Sequence, residues 1–167
     1  IAQGIKDGFI PQTRFKKKDD ATIAYLRENA GWDAKTAGMV KAVMNGNIFM
    51  DQTRGIVYIN EILELVLDML DDVMKAGPLA HEPCTGVKVS LMDCNLHEDA
   101  IHRGPAQMYP AVREGIRGAM MQAGAVMFEP LQIMRIEAPT EYTGEISKLV
   151  SSKRGQLLEM NQEEDQV

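Results

Sequence analysis

Three observations predict an α+β fold for this chain. Residues 60–76 carry charged and apolar groups at the period of one long amphipathic helix. "VKVSLMDCNL" alternates by twos and is rich in valine, as a strand does. From Phe128 onward, a strand, a helix and a second strand follow in order.

Composition bounds the function classes. At 167 residues the chain holds one domain, or one and a piece of another. Apolar residues make up 45% and charged residues 25%, ordinary for a protein whose core forms without disulfides or metals. Twelve Met stand against one Trp, four Tyr and four Phe, so the core is aliphatic and thioether-rich. The net charge of −6 argues against binding nucleic acid by broad phosphate neutralisation. Any RNA contact must come from a local feature, or from a scaffold that docks this surface by other means. The most apolar stretch, Ile62 to Met74, is broken by Asp68, Asp71 and Asp72, so no membrane span is predicted. Cys84 and Cys94, with no secretory signal in view, are expected to be reduced thiols in a cytoplasmic setting.

Taken in order, "RFKKKDD" reads as a solvated helix entry that holds Arg14 and Lys16 to Lys18. A helix follows over Asp19 to Asn29, with Ile23, Leu26 and Ala30 at helical spacing and Gly31 at its C-cap. Asp33 caps a second helix, "AKTAGMVKAVM", ending before Asn45-Gly46. "NIFMD" is a short strand, and "TRGIVYI" is a strand or a loop. Asn60 caps the long helix, whose wet stripe is Glu61, Glu64, Asp68, Asp71, Asp72 and Lys75. Gly77-Pro78 stops it. After the valine strand, a helix begins near Gln107 or Pro110, because proline is tolerated only in a first turn. Its inner face is Ala111, Val112, Ile116, Ala119 and Met120, and Gly124 ends it. "FEPLQIMRIEAP" is a strand, Thr140 caps a helix, and "QLLEMNQEEDQ" is a strand running into an acidic tail. That half-sheet would have an open edge.

The chemistry-bearing stretch is "LHEDAIHRGPAQ", Leu96 to Gln107. A zinc helix needs histidines at i and i+4. His97 and His102 are five apart, and on a helix they would diverge by roughly 140°. No Gly-x-Ser-x-Gly elbow, phosphate loop or dinucleotide fingerprint is present. Gly104 can adopt a positive φ and Pro105 restricts the residue before it, so together they stiffen the turn after His102-Arg103. Two readings of the loop stand side by side from the residues alone. Either it presents an imidazole outward at a tip, or its histidine caps the loop backbone.

"LHEDAIHRGPAQMYPAVR" closely resembles the tip loop and following helix of domain IV in the translation elongation factor 2 family. "GPAQ" after Arg103 is similar to the archaeal form, whereas the eukaryotic form continues with glycines. "YLRENAGWD", "TRGIVYINEILELVLD", "AGPLAHEPCTGVKVSLMD" and "FEPLQIMRIEAPTEYTGEISKLVSSKRGQLLEM" are similar to the family in order and spacing, so the resemblance covers nearly the whole chain.

The resemblance implies a ribosomal protein S5 domain 2-like βαβ domain over 1–126, its first strand preceding Ile1 and its tip loop at 96–105. It implies the first half of a ferredoxin-like domain V over 127–167. The GTPase domain, with its GTP and Mg, would lie upstream, so no cofactor and no enzyme activity are expected of this piece. His102 would be converted to diphthamide, whose fixed cation meets tRNA and mRNA in the decoding region during translocation on the ribosome. Contact with RNA is expected from the loop of His97, Asp99, Ile101, His102, Arg103 and Gly104, with His97 and Asp99 mainly shaping it and Arg103 adding a bidentate phosphate contact. Further implied partners are the diphthamide-synthesis enzymes and ADP-ribosylating toxins. Two alternatives stay open beside this reading. One is a metal-dependent hydrolase using His97, His102 and Glu98 or Asp99. The other is a protein-interaction module built on the half-sheet after Phe128.

Overall fold

A computed structural model describes residues 1–161. They form two compact units, Ile1–Met127 and Phe128 onward, each taken here by itself.

The first unit opens with a short helix, α1 (Ala2–Lys6). α2 (Asp20–Ala30) starts where the Asp19 carboxylate accepts the Thr22 N–H at 2.9 Å, and it ends on Gly31 at φ 67°. α3 (Ala34–Ala37) is capped by Asp33, whose Oδ1 accepts the N–H groups of Lys35 and Thr36 at 2.9 Å. Bonds from Thr22 and Thr36 hold the Asp19 and Asp33 carboxyls below their usual pKa. The caps are therefore fully present at neutral pH and are lost as pH falls through the acid range.

The second predicted helix stops after one turn. Its remainder is strand β1 (Val40–Met44), antiparallel to β2 (Asn47–Asp51), with Val43 opposite Ile48 and Met44 opposite Asn47. Asn45 and Gly46 both take positive φ, 51° and 76°, the two-residue hairpin turn that matches strand twist. That dipeptide marks a hairpin, and Val40 and Val43 favour a strand for their stiff χ1. A Cβ on Gly46 would also lie 2.9 Å from Thr85 Oγ1. Gly46→Ala should therefore lower stability by about 1–2 kcal/mol, read as a shift in the urea midpoint. An unmoved midpoint would show that the turn is not constrained.

β2 leads through a loop to α4 (Ile59–Lys75) and back to β3 (Lys88–Leu91), which lies parallel to β2. "TRGIVYI" thus belongs to that loop and to the first turn of α4, which begins one residue before Asn60. Among the described residues the sheet order is β1-β2-β3. β2 is central and covered on both faces. Phe49 points into one core with Ala42, Ile62, Val66, Leu67, Leu70, Val73, Met74 and Ile116. Ile48 and Met50 point into the other, with Ile5, Ile10, Leu26, Ala37, Val40 and Val43. A bulge between Val40 and Ala42 lets Val40 and Val43 share a face. Each fully buried side chain such as Leu67 contributes about 1.5–3 kcal/mol.

α5 (Pro105–Gln122) starts earlier than the sequence suggests. Pro105 takes the first helical position, where its missing N–H costs nothing. Pro110 then sits inside the helix and forfeits one bond. The face toward the core is Met108, Val112, Ile116 and Met120, while Ala111 and Ala119 are exposed. Among the described residues no helix is long and apolar enough to cross a membrane.

In the second unit, a 3₁₀ turn (Thr140–Tyr142) leads into α6 (Thr143–Ser152). The Thr143 hydroxyl donates to the Thr140 carbonyl at 2.7 Å. The two expected strands are absent over residues 128–139 and 156–161. Leu131 and Ile133 are 93% and 90% exposed. The alternating pattern is present in the letters, but a strand exists only where a neighbour completes its ladder, and these residues have none among those described. The half-sheet edge proposed for protein interaction is therefore not formed there. The acidic end of the tail lies outside the described residues.

Candidate functional site

β3 ends at Leu91, and Cys94 and Leu96 still pack on the core. The chain then turns outward. His97 Nδ1 accepts the Asp99 N–H at 3.0 Å, and Asp99 Oδ1 accepts the Ile101 N–H at 3.1 Å. The Asp99 carbonyl accepts the His102 N–H, closing a 3₁₀ turn over Ala100–Arg103. The residue that binds loop backbone through its ring is thus His97. His102 is exposed, and Ile101 beside it is 72% exposed. Gly104 takes extended angles, φ −78° and ψ 172°, rather than a positive φ. The residue before a proline is pushed to that region, so Pro105 sets the turn.

Arg103 stands otherwise than expected. It is 7% exposed, and its guanidinium points inward. Nη1 donates to the carbonyls of His97 and Glu98, both at 2.6 Å. Nε and Nη2 donate to Glu61 Oε2 at 3.2 and 2.7 Å. The group also lies 3.9 Å from the centroid of the Tyr58 ring. With four of its five N–H donors committed, it has no free fork to offer a phosphate. Five donors in a rigid plane explain why an arginine can hold two carbonyls and a carboxylate at once.

The two imidazoles do not diverge, because the segment is a 3₁₀ turn and not an α-helix. Their centroids are 4.4 Å apart, edge to face at 66°. His97 Nδ1 is already taken by the Asp99 amide. Among the described residues no third histidine, cysteine or carboxylate joins them into a metal-ligating group. Cys84 and Cys94 are free and half-buried, and burial raises both thiol pKa values, which keeps them protonated and poor nucleophiles.

The acidic stripe of α4 is a seam for arginines from three other segments. Arg14 reaches Glu64 at 2.9 Å and Asp68 at 2.8 Å. Arg103 takes Glu61, and Arg113 reaches Asp72 at 3.3 Å. Arg117 donates to the Ala76 carbonyl at 3.4 Å. Arg14 is therefore not part of a free basic cluster, whereas Lys16, Lys17 and Lys18 are exposed. Arg113 and Arg117, both half-buried, reach toward α4 and its C-terminal end. The recurring acids signalled a wet face, and nothing in their spacing named the arginines that would cover it.

Comparison with known proteins gives the family. The family described as "Elongation factor G, domain IV" matches residues 11–124. The chain is 47% identical over 165 residues to elongation factor 2 of Methanocaldococcus jannaschii, covering 99% of this chain and 23% of that protein. It is 47% identical over 163 residues to elongation factor 2 of Pyrococcus furiosus, covering 98% and 22%. The counterpart in Nanoarchaeum equitans is 43% identical over all 167 residues, 22% of its length. The chain thus spans less than a quarter of the length of these relatives.

Proposed function

Because the chain belongs to the elongation factor G domain IV family, we propose that it is the ribosome-facing arm of a GTP-dependent translocation factor and that His102 is its working residue. One observation carries this reading. In the motif His97-Glu98-Asp99-Ala100-Ile101-His102-Arg103-Gly104 both histidines are exposed, but His97 Nδ1 is tied to the Asp99 amide, whereas the His102 ring makes no hydrogen bond among the described residues and stands at the far end of a loop pinned from beneath. We further assign residues 1–126 to an S5 domain 2-like arm and residues 127–167 to the first half of a ferredoxin-like domain. GTP and Mg would be handled by another part of the factor, in the cytoplasm, and the chain itself would not be catalytic.

The mechanism follows from the loop. Arg103 is spent on the scaffold, so the cation offered to RNA must be carried on His102. Diphthamide supplies one, a long arm with a fixed positive charge and a carboxamide. A single cation on a held tip can meet a phosphate or a 2′-hydroxyl without a basic body around it. Ile101 adds an exposed apolar side chain for packing against a base or sugar. Docking by the remainder of the factor would overcome the net charge of −6. The same exposed imidazole would be what the diphthamide-synthesis enzymes and ADP-ribosylating toxins reach.

Mass spectrometry of the 96–113 peptide from native-source protein tests the assignment. A mass increase confined to His102 is expected, and protein made in a bacterial host should carry plain histidine. Unmodified His102 in native-source protein would overturn it.

A further inference from the structure

We propose that Glu61, acting through Arg103 and supported by Tyr58, is a positioning residue for the tip histidine. The proposal rests on the reading of His102 as the working residue. Glu61 lies in the first turn of α4, 42 residues before its partner in sequence, and is not part of the loop. Its Oε2 accepts two donors of a guanidinium whose remaining bonds hold the His97 and Glu98 carbonyls. Those two carbonyls precede Asp99, whose own carbonyl and carboxylate fix the His102 and Ile101 amides. A continuous path of bonds therefore runs from a rigid helix to the exposed ring.

Tyr58 is the second support. It stands at φ 71°, a left-handed conformation unfavourable to a bulky residue, immediately before α4. In that conformation its ring lies against the guanidinium face. Strained backbone of this kind persists only where surrounding contacts hold it. The stack and the carboxylate fix Arg103 in plane and in rotation, so the loop has one presentation rather than many.

Glu64 supplies the control. It lies one turn further along α4 and pairs with Arg14, away from the loop. In the full-length factor, co-expressed with archaeal diphthamide-synthesis enzymes, Glu61→Ala and Tyr58→Ala should slow modification of His102 about tenfold or more, as misplaced reacting groups do. Both should speed hydrogen exchange at the Asp99, Ile101 and His102 amides. Glu64→Ala should do neither, and Tyr58→Phe, which keeps the ring face, should retain wild-type behaviour. If Glu61→Ala fails to fold, Tyr58→Ala carries the same expectation. Wild-type modification with protected loop amides in the folded variants would overturn the proposal. If the wild-type factor itself is not modified, the reading of His102 fails instead, and the amide exchange still decides the positioning role.

Discussion

Replacing Arg103 with methionine is expected to lower stability by about 2–4 kcal/mol and to release the loop over residues 97–103. Methionine keeps the apolar stem, so the change isolates the guanidinium. Two effects add. The carbonyls of His97 and Glu98 lose donors that lie at 2.6 Å. The ion pair with Glu61 is also lost, but Glu61 is half exposed at 53%, so solvent screens much of that attraction. The carbonyl bonds should therefore dominate the loss. Arg103→Lys should recover little, because an ammonium is a point charge that cannot span two carbonyls and a carboxylate in one plane. Urea unfolding with amide exchange checks this. A loss below about 0.5 kcal/mol, the range of an ordinary surface change, with the loop amides still protected, would remove the clamp from the account.

The second large effect is expected at Asn47. It is 2% exposed at the start of β2. Its amide donates to the Asn45 and Cys84 carbonyls at 3.1 and 2.9 Å, and its Oδ1 accepts the Val87 N–H at 2.9 Å. One side chain thus ties the hairpin turn to the segment that enters β3. Asn47→Ala leaves three backbone groups without partners where water is scarce, and should cost about 3 kcal/mol. Asn47→Asp should be no better, since a carboxylate would face two carbonyls. The check is thermal or urea unfolding of both variants. Stability within about 0.5 kcal/mol of wild type would mean that water replaces the side chain.

What was legible in the letters divides along physical lines. α4 was plain because seventeen residues of one amphipathic period outweigh any local ambiguity. β2, β3 and the cap at Asp33 were legible for similar local reasons, whereas Asp19, read as the first helical residue, is the cap of α2. "AKTAGMVKAVM" misled because its spacing also suits a helix, and only pairing with β2 makes its second half a strand. The strands after Phe128 show the converse, a period of two with no neighbour to pair it. At the site, the motif drew attention to the loop, where His97 and His102 are both exposed and the ring not bonded to loop backbone is that of His102. The inward turn of Arg103 was not legible, because its partners Glu61 and Tyr58 lie over 40 residues away and declare themselves only in three dimensions.

The central claim is that the loop offers His102, and not Arg103 or a basic flank, to ribosome-bound RNA. A photoreactive residue placed at position 102 of the full-length factor, compared with the same residue at 17 and at 113, tests it directly on ribosomes carrying tRNA and mRNA. The account predicts RNA crosslinks from position 102 that exceed those from the other two. Crosslinks from 17 or 113 with position 102 silent would contradict it.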